Sequence, residues 1–439
     1  MARSTMIACI LQSGLRASFN SIIYLFMATI ANLRQLFREY PKQFWLLLGA
    51  SFIDGLGGAL LLPFFTLYVT ARFDVGMTTV GIIFGIFSIS AIFGSAIGGA
   101  LSDRFGRKRM IIWGLVASAL ITLGMGFAND IRLFFGAAML VGLFANMGDP
   151  ARQAMVADLL EPKQRAEGYG LMRVVMNLAM TIGPAIGGFM AARSYLTLFI
   201  TDAVASTITA GIVFVFIKES MPALEEGEEH ERFTQTFVGY LVALKDKVFM
   251  VFIIASILDI LVYMQMNTTL SVYLRDVHHV PPQYYGWLIS MNALMVVLFQ
   301  FFVTRKTRRF RPLHVIAAGA VLYAIGFGMY GVVDSYAFFI LAMVIITVGE
   351  MLIAPVAQSV VSLLAPETMR GRYMAVFGFS WAIPAAVGPL LAGLIMDFSN
   401  PDWVWYAAFI SAMLSAAIFL WLSTRTRKLD AEQVCASAG

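Results

Sequence analysis

The sequence predicts an all-α polytopic membrane protein, with twelve transmembrane helices arranged as two pseudo-symmetric six-helix bundles. Of its 439 residues, 59% are apolar and only 13% are charged, whereas soluble domains carry about 25% charged residues. The apolar residues fall into twelve runs of roughly the 20 residues that a spanning helix needs. The two halves of the chain also share residues at a fixed offset, which is typical of transporter folds.

Composition excludes several other classes of protein. The two cysteines, Cys9 and Cys435, lie near opposite ends of the chain and predict neither a disulfide framework nor a metal site. A net charge of +5 fits loops that face an anionic lipid leaflet better than it fits nucleic-acid binding. The sequence contains no P-loop and no Ser/His/Asp or Cys/His arrangement at membrane depth. We therefore expect no enzyme activity and no cofactor, with a proton gradient as the energy source.

The twelve spans follow from the apolar runs, taken in chain order. They are 44–70, 78–101, 110–128, 131–150, 168–192, 196–217, 248–274, 284–304, 312–333, 336–357, 373–396 and 402–422. The chain then divides into an N-terminal segment, an N-terminal bundle, a glutamate-rich linker, a C-terminal bundle and a tail, at 1–43, 44–217, 218–247, 248–422 and 423–439. Residues 17–37 place apolar side chains near one helical face and predict an interfacial amphipathic helix, with a disordered extension as the alternative.

The distribution of Lys and Arg predicts the orientation. If the N-terminus is cytoplasmic, 26 of the 31 basic residues fall on the cytoplasmic side, and Arg173 falls inside a span. The positive-inside rule then predicts a multi-pass protein of the cell's inner or plasma membrane, with both termini in the cytoplasm.

An internal repeat appears when the chain is compared with itself at an offset of 205 residues. The matched pairs are Asp54 with Asp259, Tyr68 with Tyr273, Gly81 with Gly286, Pro150 with Pro355, Gln153 with Gln358, Arg165 with Arg370, and Gly183-Pro184 with Gly388-Pro389. Six spans in each copy return the chain to the same membrane face, so the halves are parallel repeats about an axis normal to the membrane. Substrate sites in such proteins lie near the midplane between the halves.

The loop between the second and third spans carries the most specific motif, Gly99-Ala100-Leu101-Ser102-Asp103-Arg104-Phe105-Gly106-Arg107-Lys108-Arg109. A tight basic turn of this kind suits any loop on the positive side, but the whole pattern resembles the signature loop G-x-L-x-D-R-x-G-R-[KR] of the major facilitator superfamily. The resemblance covers residues 44–422 and implies the fold of that family. It also implies a cytoplasmic gating motif formed by Gly99, Asp103, Arg104, Gly106 and Arg107, with Asp158 paired to it. The counterpart at 304–311 keeps only the positive charge.

A second motif lies in the fifth span. Gly183, Pro184, Gly187 and Gly188 resemble the G-P-x-x-G-G motif of the drug:proton antiporters in the same superfamily, where it is taken to favour export. A kink at a packing interface would need the same residues. One departure is that these antiporters usually carry an arginine in the fourth span four residues before a glycine. Ala138 stands at that place before Gly142.

Ionisable side chains at membrane depth are the candidate functional residues, because burying one there costs at least about 2.5–3.5 kcal/mol. Asp54 lies roughly 15 Å into the first span, and Asp259 lies at the matching depth of the seventh. Glu350 lies in the tenth span, and Arg173 is a candidate counter-ion. A carboxylate at this depth exchanges a proton, and a cationic substrate competes for it. The alternative for each of the three acids is a structural role, in which hydroxyl or backbone groups form hydrogen bonds with the buried carboxyl group.

Aromatic, methionine and amide side chains near these acids are candidates for the substrate cavity: Tyr68, Tyr263, Met264, Gln265, Asn267 and Trp381. Lipid-facing helices have a similar composition. The favoured function is proton-driven export of amphipathic or cationic small molecules by alternating access. The alternatives are a dedicated carrier for a metabolite such as a sugar or lysophospholipid, and a non-transporting membrane receptor. The expected partners are the substrate, protons and the lipid bilayer, with no nucleic acid and no metal, and the chain is expected to be a monomer.

Overall fold

Long apolar helices fill the computed structural model, which describes residues 39–221, 242–366 and 369–425. The predicted amphipathic helix at 17–37, the glutamate run of the linker and the end of the tail lie outside these ranges. The main helices are α1 (Lys42–Leu61), α2 (Phe65–Phe73), α3 (Met77–Phe105), α4 (Arg107–Phe127), α5 (Ile131–Leu159), α6 (Arg165–Arg193), α7 (Tyr195–Phe216), α8 (Lys247–Thr268), α9 (Leu270–Asp276), α10 (Pro282–Thr307), α11 (Pro312–Met329), α12 (Tyr336–Leu364), α13 (Arg370–Phe398) and α14 (Trp403–Arg425).

The twelve predicted membrane spans are confirmed. Twelve helices are long and apolar enough to cross a bilayer. The first consists of α1 and α2 joined by a 3₁₀ turn at Leu62–Phe64. Pro63 lies at the start of that turn and lacks the N–H that would continue the α-helical ladder. The seventh span has a matching break, since α8 ends at Thr268 and α9 begins at Leu270.

The 205-residue repeat is visible in the helix boundaries. Residue 42 begins α1 and residue 247 begins α8, and the same offset relates the starts of α3 and α10 and of α4 and α11. Both ends of α5 match those of α12, and both ends of α6 match those of α13. Pro150 and Pro355 lie inside α5 and α12, and Pro184 and Pro389 lie inside α6 and α13.

Repeat mates also touch each other on the axis between the halves. The Thr66 and Ser271 hydroxyls, 205 residues apart, are hydrogen-bonded at 2.8 Å. The Arg275 guanidinium donates to the hydroxyl of its own mate, Thr70, at 3.1 Å, and to the Leu67 carbonyl at 3.2 Å. These contacts lie beyond the breaks in the first and seventh spans.

The halves pack against each other at one membrane face. We call the face that holds the turn at Arg107 the basic face, and the other the opposite face. Near the opposite face α3 crosses α13 and α6 crosses α10. A Cβ on Gly81 would lie 2.6 Å from the backbone nitrogen of Leu390, and one on Gly188 would lie 2.8 Å from the Cα of Gln283. Such close backbone approach requires glycine.

One carboxylate reinforces this closure. Asp397, at the end of α13, accepts hydrogen bonds from the backbone N–H groups of Met77 at 2.9 Å and Thr78 at 2.8 Å. These groups begin α3 in the other half, where a helix has unsatisfied donors and a partial positive charge. The structure is therefore closed at the opposite face by a bond that joins the two bundles.

Candidate functional site

Two cavities between the spanning helices bring together seven charged side chains. The second-half cavity has a volume of about 80 Å³ and is lined by Asp259, Glu350, Tyr263 and Trp381, together with Arg173 from the first half. The first-half cavity is larger, about 450 Å³, and is lined by Asp54, Asp149, Arg152 and Asp202 among apolar side chains. Each bundle therefore contributes its own charged chamber.

In the second-half cavity, two carboxyl groups have different surroundings. Glu350 accepts hydrogen bonds from the Tyr263 hydroxyl at 3.2 Å and from the Asn292 amide at 2.8 Å. Asp259 is 1% exposed, and neither of its oxygens accepts a hydrogen bond from a described residue. The neighbouring hydroxyl of Ser415 donates to the Ala255 carbonyl instead. The two carboxyl groups of this cavity therefore differ, since described donors hold Glu350 and none holds Asp259.

Aromatic rings complete this cavity. The Tyr263 ring stacks on Tyr323, with centroids 6.2 Å apart and an interplanar angle of 20°, and meets Trp381 edge-on at 5.8 Å. The Trp381 side chain is 44% exposed, so its face remains available to a ligand. Aromatic faces attract organic cations. Acids beside such faces therefore suit a positively charged group, and a drug-sized molecule needs more space than the 80 Å³ present in this conformation.

The charge of the second-half cavity is not balanced by an ion pair. Among the residues that the structure describes, no Lys, Arg or His lies within ion-pair distance of Asp259 or Glu350. Arg173 lines the same cavity from α6 but makes no such contact. Two acids thus face one more distant cation, which belongs to the other bundle.

The first-half cavity is built differently, because its leading acid is paired. Arg152 lies 2.9 Å from one oxygen of Asp54, and the Ser206 hydroxyl donates to the other oxygen at 3.0 Å. The side chains of Arg152 and Asp54 are 14% and 20% exposed. Asp149, one turn before Arg152, and Asp202 line the same cavity. Asp54 therefore differs from its repeat mate Asp259, because the repeat mate of Arg152 is Ala357.

Other sequence-predicted cavity residues lie elsewhere. Tyr68 was expected in the cavity, but it is 4% exposed near the opposite face, where its ring packs on Phe199 and its hydroxyl donates to the Met125 carbonyl at 3.3 Å. Gln265 is 6% exposed and donates to the Leu261 carbonyl within its own helix. Neither side chain lines the two cavities in this conformation. Met264 and Asn267 also lie outside the residues that line the two cavities.

The loop motif forms an ion-pair network on the basic face. Arg107 pairs with Asp103, and its Nε lies 3.5 Å from Asp158. Gly106 has a φ of +99°, which favours glycine. Glu219, from just after α7, accepts hydrogen bonds from the backbone N–H groups at the start of α4, the nearer at 2.8 Å. Gly99 faces α5, where a Cβ would touch Pro150, and Arg104 lies over the ring of Phe105.

The α6 motif lies between two helix crossings. A Cβ on Gly183 would lie 2.5 Å from that of Ala59, and one on Gly187 would lie 2.6 Å from the Leu60 carbonyl oxygen, both on α1. Gly188 faces α10 instead, and the carbonyl of Pro184 faces Gly286 there. The motif therefore couples the core of one bundle to the contact with the other.

Two functional candidates were missed by the sequence analysis. Arg152 was assigned to a cytoplasmic loop, because the predicted fourth span stopped at residue 150, whereas α5 continues to Leu159. Asp202 lies within the predicted span 196–217 and meets the criterion that selected Asp54. Applying that criterion to every span would have identified it. No group of three or more His, Cys, Asp or Glu side chains in the described residues is placed to hold a metal ion.

Comparison with known proteins gives a consistent family. The profile of the Major Facilitator Superfamily matches residues 47–383 and again 266–434. A Na(+), Li(+), K(+)/H(+) antiporter of Planococcus maritimus is 28% identical over 83% of this chain and 91% of its own length. The multidrug resistance protein MdtH of Shigella sonnei is 24% identical over 75% of this chain and 81% of its own. The crystal structure of the nucleoside transporter NupG shares the fold, with a TM-score of 0.72 and 14% identity over 88% of this chain and 99% of that one.

Proposed function

Because the chain belongs to the major facilitator superfamily and is thus a secondary transporter in a membrane, we propose that it is a proton-coupled antiporter that exports organic cations. The observation that carries this proposal is the second-half cavity, where Asp259 and Glu350 lie without an ion-pair partner among the described residues, beside Tyr263 and Trp381. Such a chamber binds either protons or a cation, and exchange of one for the other couples their movements.

The coupling cycle follows from where these residues lie. If the basic face lies in the cytoplasm, as the positive-inside rule predicts, the α3–α13 and α6–α10 crossings close the protein to the outside. A cation that enters from the cytoplasm displaces protons from Asp259 and Glu350. Opening of the opposite face then exposes the loaded site, and external protons displace the cation.

Arg173 supports a role for movement in this cycle. It lies on α6 in the first half, yet it lines the cavity of the second half. Rocking the two bundles therefore changes its distance from Glu350. A cation brought nearer to the carboxylates lowers their affinity for a cationic ligand, which favours release.

A second candidate is exchange of alkali cations for protons. It is favoured by the relative from Planococcus maritimus and by the first-half cavity, whose lining includes Asp54, Asp149 and Asp202 together with Arg152. The aromatic rings of the second-half cavity favour organic cations instead.

Proton movement in everted vesicles separates the candidates. Vesicles that carry the protein are acidified inside by respiration, and a pH-sensitive dye reports proton exit after ethidium, NaCl, LiCl or KCl is added. The proposal is supported if ethidium causes proton exit that Asp259→Asn and Glu350→Gln each reduce at least tenfold. The surface control Glu161→Gln should retain this exit. Exit only with the alkali salts supports the second candidate. Unchanged exit in both cavity variants would show that the coupling acids lie elsewhere, and no exit with any cation would favour the metabolite carrier.

A further inference from the structure

A strongly basic cavity of about 740 Å³ opens on the basic face of the second half. It lies between the end of α10, the start of α11 and the part of α12 that contains Pro355 and Val356, which form its apolar side. The turn at its rim holds four cations, Arg305, Lys306, Arg308 and Arg309, which we call the 305–309 cluster. Transport through the two midplane cavities uses none of these residues.

The acids that neutralise the matching turn of the first half have no counterpart here. In the first half, Asp103, Asp158 and Glu219 bind Arg107 or the helix start beside it. The residues 205 positions later are Arg308, Leu363 and Thr424. Within the described ranges, Arg305, Lys306 and Arg308 form no ion pair, and Arg309 lies over the ring of Phe310. The second copy thus keeps the positive charge of the turn and lacks the anions that neutralise it in the first copy.

The cavity lies where α10 leaves the apolar part of the membrane. Phe301 and Phe302, one turn before the cluster, are 68% and 66% exposed, and Phe310 is 52% exposed. Exposed aromatic side chains of this kind face lipid chains and the interfacial layer. An occupant that satisfies both parts of the site carries an anion at headgroup level and apolar chains alongside α10.

We propose that this cavity binds the phosphodiester headgroup of an anionic phospholipid. Guanidinium groups bind phosphate oxygens through two parallel hydrogen bonds, and basic cavities between transmembrane helices on the cytoplasmic side suit such headgroups. Ser359 and Thr304 line the same cavity and add hydroxyl groups that bind the remaining oxygens. The bound lipid supplies the negative charge that Asp103 and Asp158 supply in the first half.

The test compares lipids on the purified full-length protein in neutral detergent. Thermal unfolding and native mass spectrometry are recorded with phosphatidylglycerol, cardiolipin, phosphatidylcholine or inorganic phosphate added. The test variant is Arg305→Gln/Arg308→Gln/Arg309→Gln. The matched control, Lys42→Gln/Lys163→Gln/Lys218→Gln, removes the same charge from exposed positions on the basic face of the first half. Both variants must unfold cooperatively in phosphatidylcholine before lipids are compared.

We expect the anionic lipids to raise the Tm of the wild type and of the control, and to bind the test variant roughly 100-fold more weakly, because each cation near an anionic lipid contributes about fivefold to affinity. An equal response of the test variant overturns the proposal. An equal response to inorganic phosphate assigns the site to a soluble anion instead. A further variant changes the five glutamates between 225 and 231 to glutamine. If a lipid response appears only in this variant, the linker of the chain itself occupies the cavity, and the proposal is overturned.

Discussion

Replacing Gly81 with valine tests whether the glycine crossings hold the opposite face closed. A Cβ at Gly81 would lie 2.6 Å from the Leu390 nitrogen, whereas ordinary contact begins at about 3.4 Å, so the backbones must separate by at least 0.8 Å. Overpacking of this size costs about 1–3 kcal/mol. The closed form then loses population by about 5- to 150-fold relative to the form open at that face.

The assay uses the axial contact between Thr66 and Ser271, whose hydroxyl oxygens are 2.8 Å apart. In a chain whose two native cysteines are serines, the pair Thr66→Cys/Ser271→Cys forms a disulfide only when the opposite face is closed. A protease site is inserted in the linker. After cleavage, the two halves stay together only in molecules in which the disulfide has formed. We expect Gly81→Val to lower the yield of cross-linked protein under brief oxidation.

The control is Gly124→Val on α4, where a Cβ would have no heavy atom within 4 Å. It should leave the yield unchanged. The repeat mate provides an independent repetition, since a Cβ on Gly286 would collide with the Pro184 carbonyl, and Gly286→Val should act in the same direction. A folded Gly81→Val protein that cross-links as fully as Gly124→Val would refute the reasoning.

Three further predictions concern charged groups. Arg152→Gln should lower the Tm more than the double variant Asp54→Asn/Arg152→Gln, because removing one partner of a buried ion pair costs about 3 kcal/mol and removing both leaves no unpaired charge; equal Tm values would contradict this. Asp397→Ala should reduce the same cross-link about 5- to 30-fold, since it removes a cap between the halves worth about 1–2 kcal/mol, whereas Asp130→Ala, which removes a cap within one half, should not. His278 lies in the loop before α10, and burial lowers the pKa of its imidazole. The folded protein therefore binds a proton at His278 less readily than the unfolded chain does. Stability should fall as the pH drops below roughly 6.5, the pKa of the unfolded chain. The Tm of His278→Phe should therefore fall less than that of the wild type between pH 7.5 and 5.5, and parallel curves would assign the loss to other groups.

The sequence alone predicted the membrane spans and the repeat, because both depend on patterns that local physics imposes. Twenty apolar residues have few alternatives to crossing the bilayer. The offset inferred from pairs such as Asp54 and Asp259 proved to relate the ends of α5 to those of α12. The predicted orientation and the roles of the site residues remain predictions.

The contents of the two cavities were harder to predict. A tyrosine in an apolar helix gives no signal of which face it occupies, so Tyr68 was placed in the cavity although it packs near the opposite face. Arg152 was misplaced because a spanning helix can extend past the apolar run that reveals it. The pairing of Asp54 with Arg152 depends on the packing of α1 against α5, which periodicity does not specify. The functional proposal therefore rests on Asp259 and Glu350 rather than on Asp54.

The contact of Arg275 with Thr70 has a consequence for the origin of the fold. On a true two-fold axis, a residue meets an identical copy of itself, so a six-helix chain that paired with a second copy would place arginine against arginine or threonine against threonine. The first arrangement brings two like charges together, and the second lacks the guanidinium. Joining the copies in one chain lets position 70 and position 275 diverge into donor and acceptor. In a single chain, the two residues that meet on the axis can therefore differ, and each bundle can carry the side chain that the contact requires.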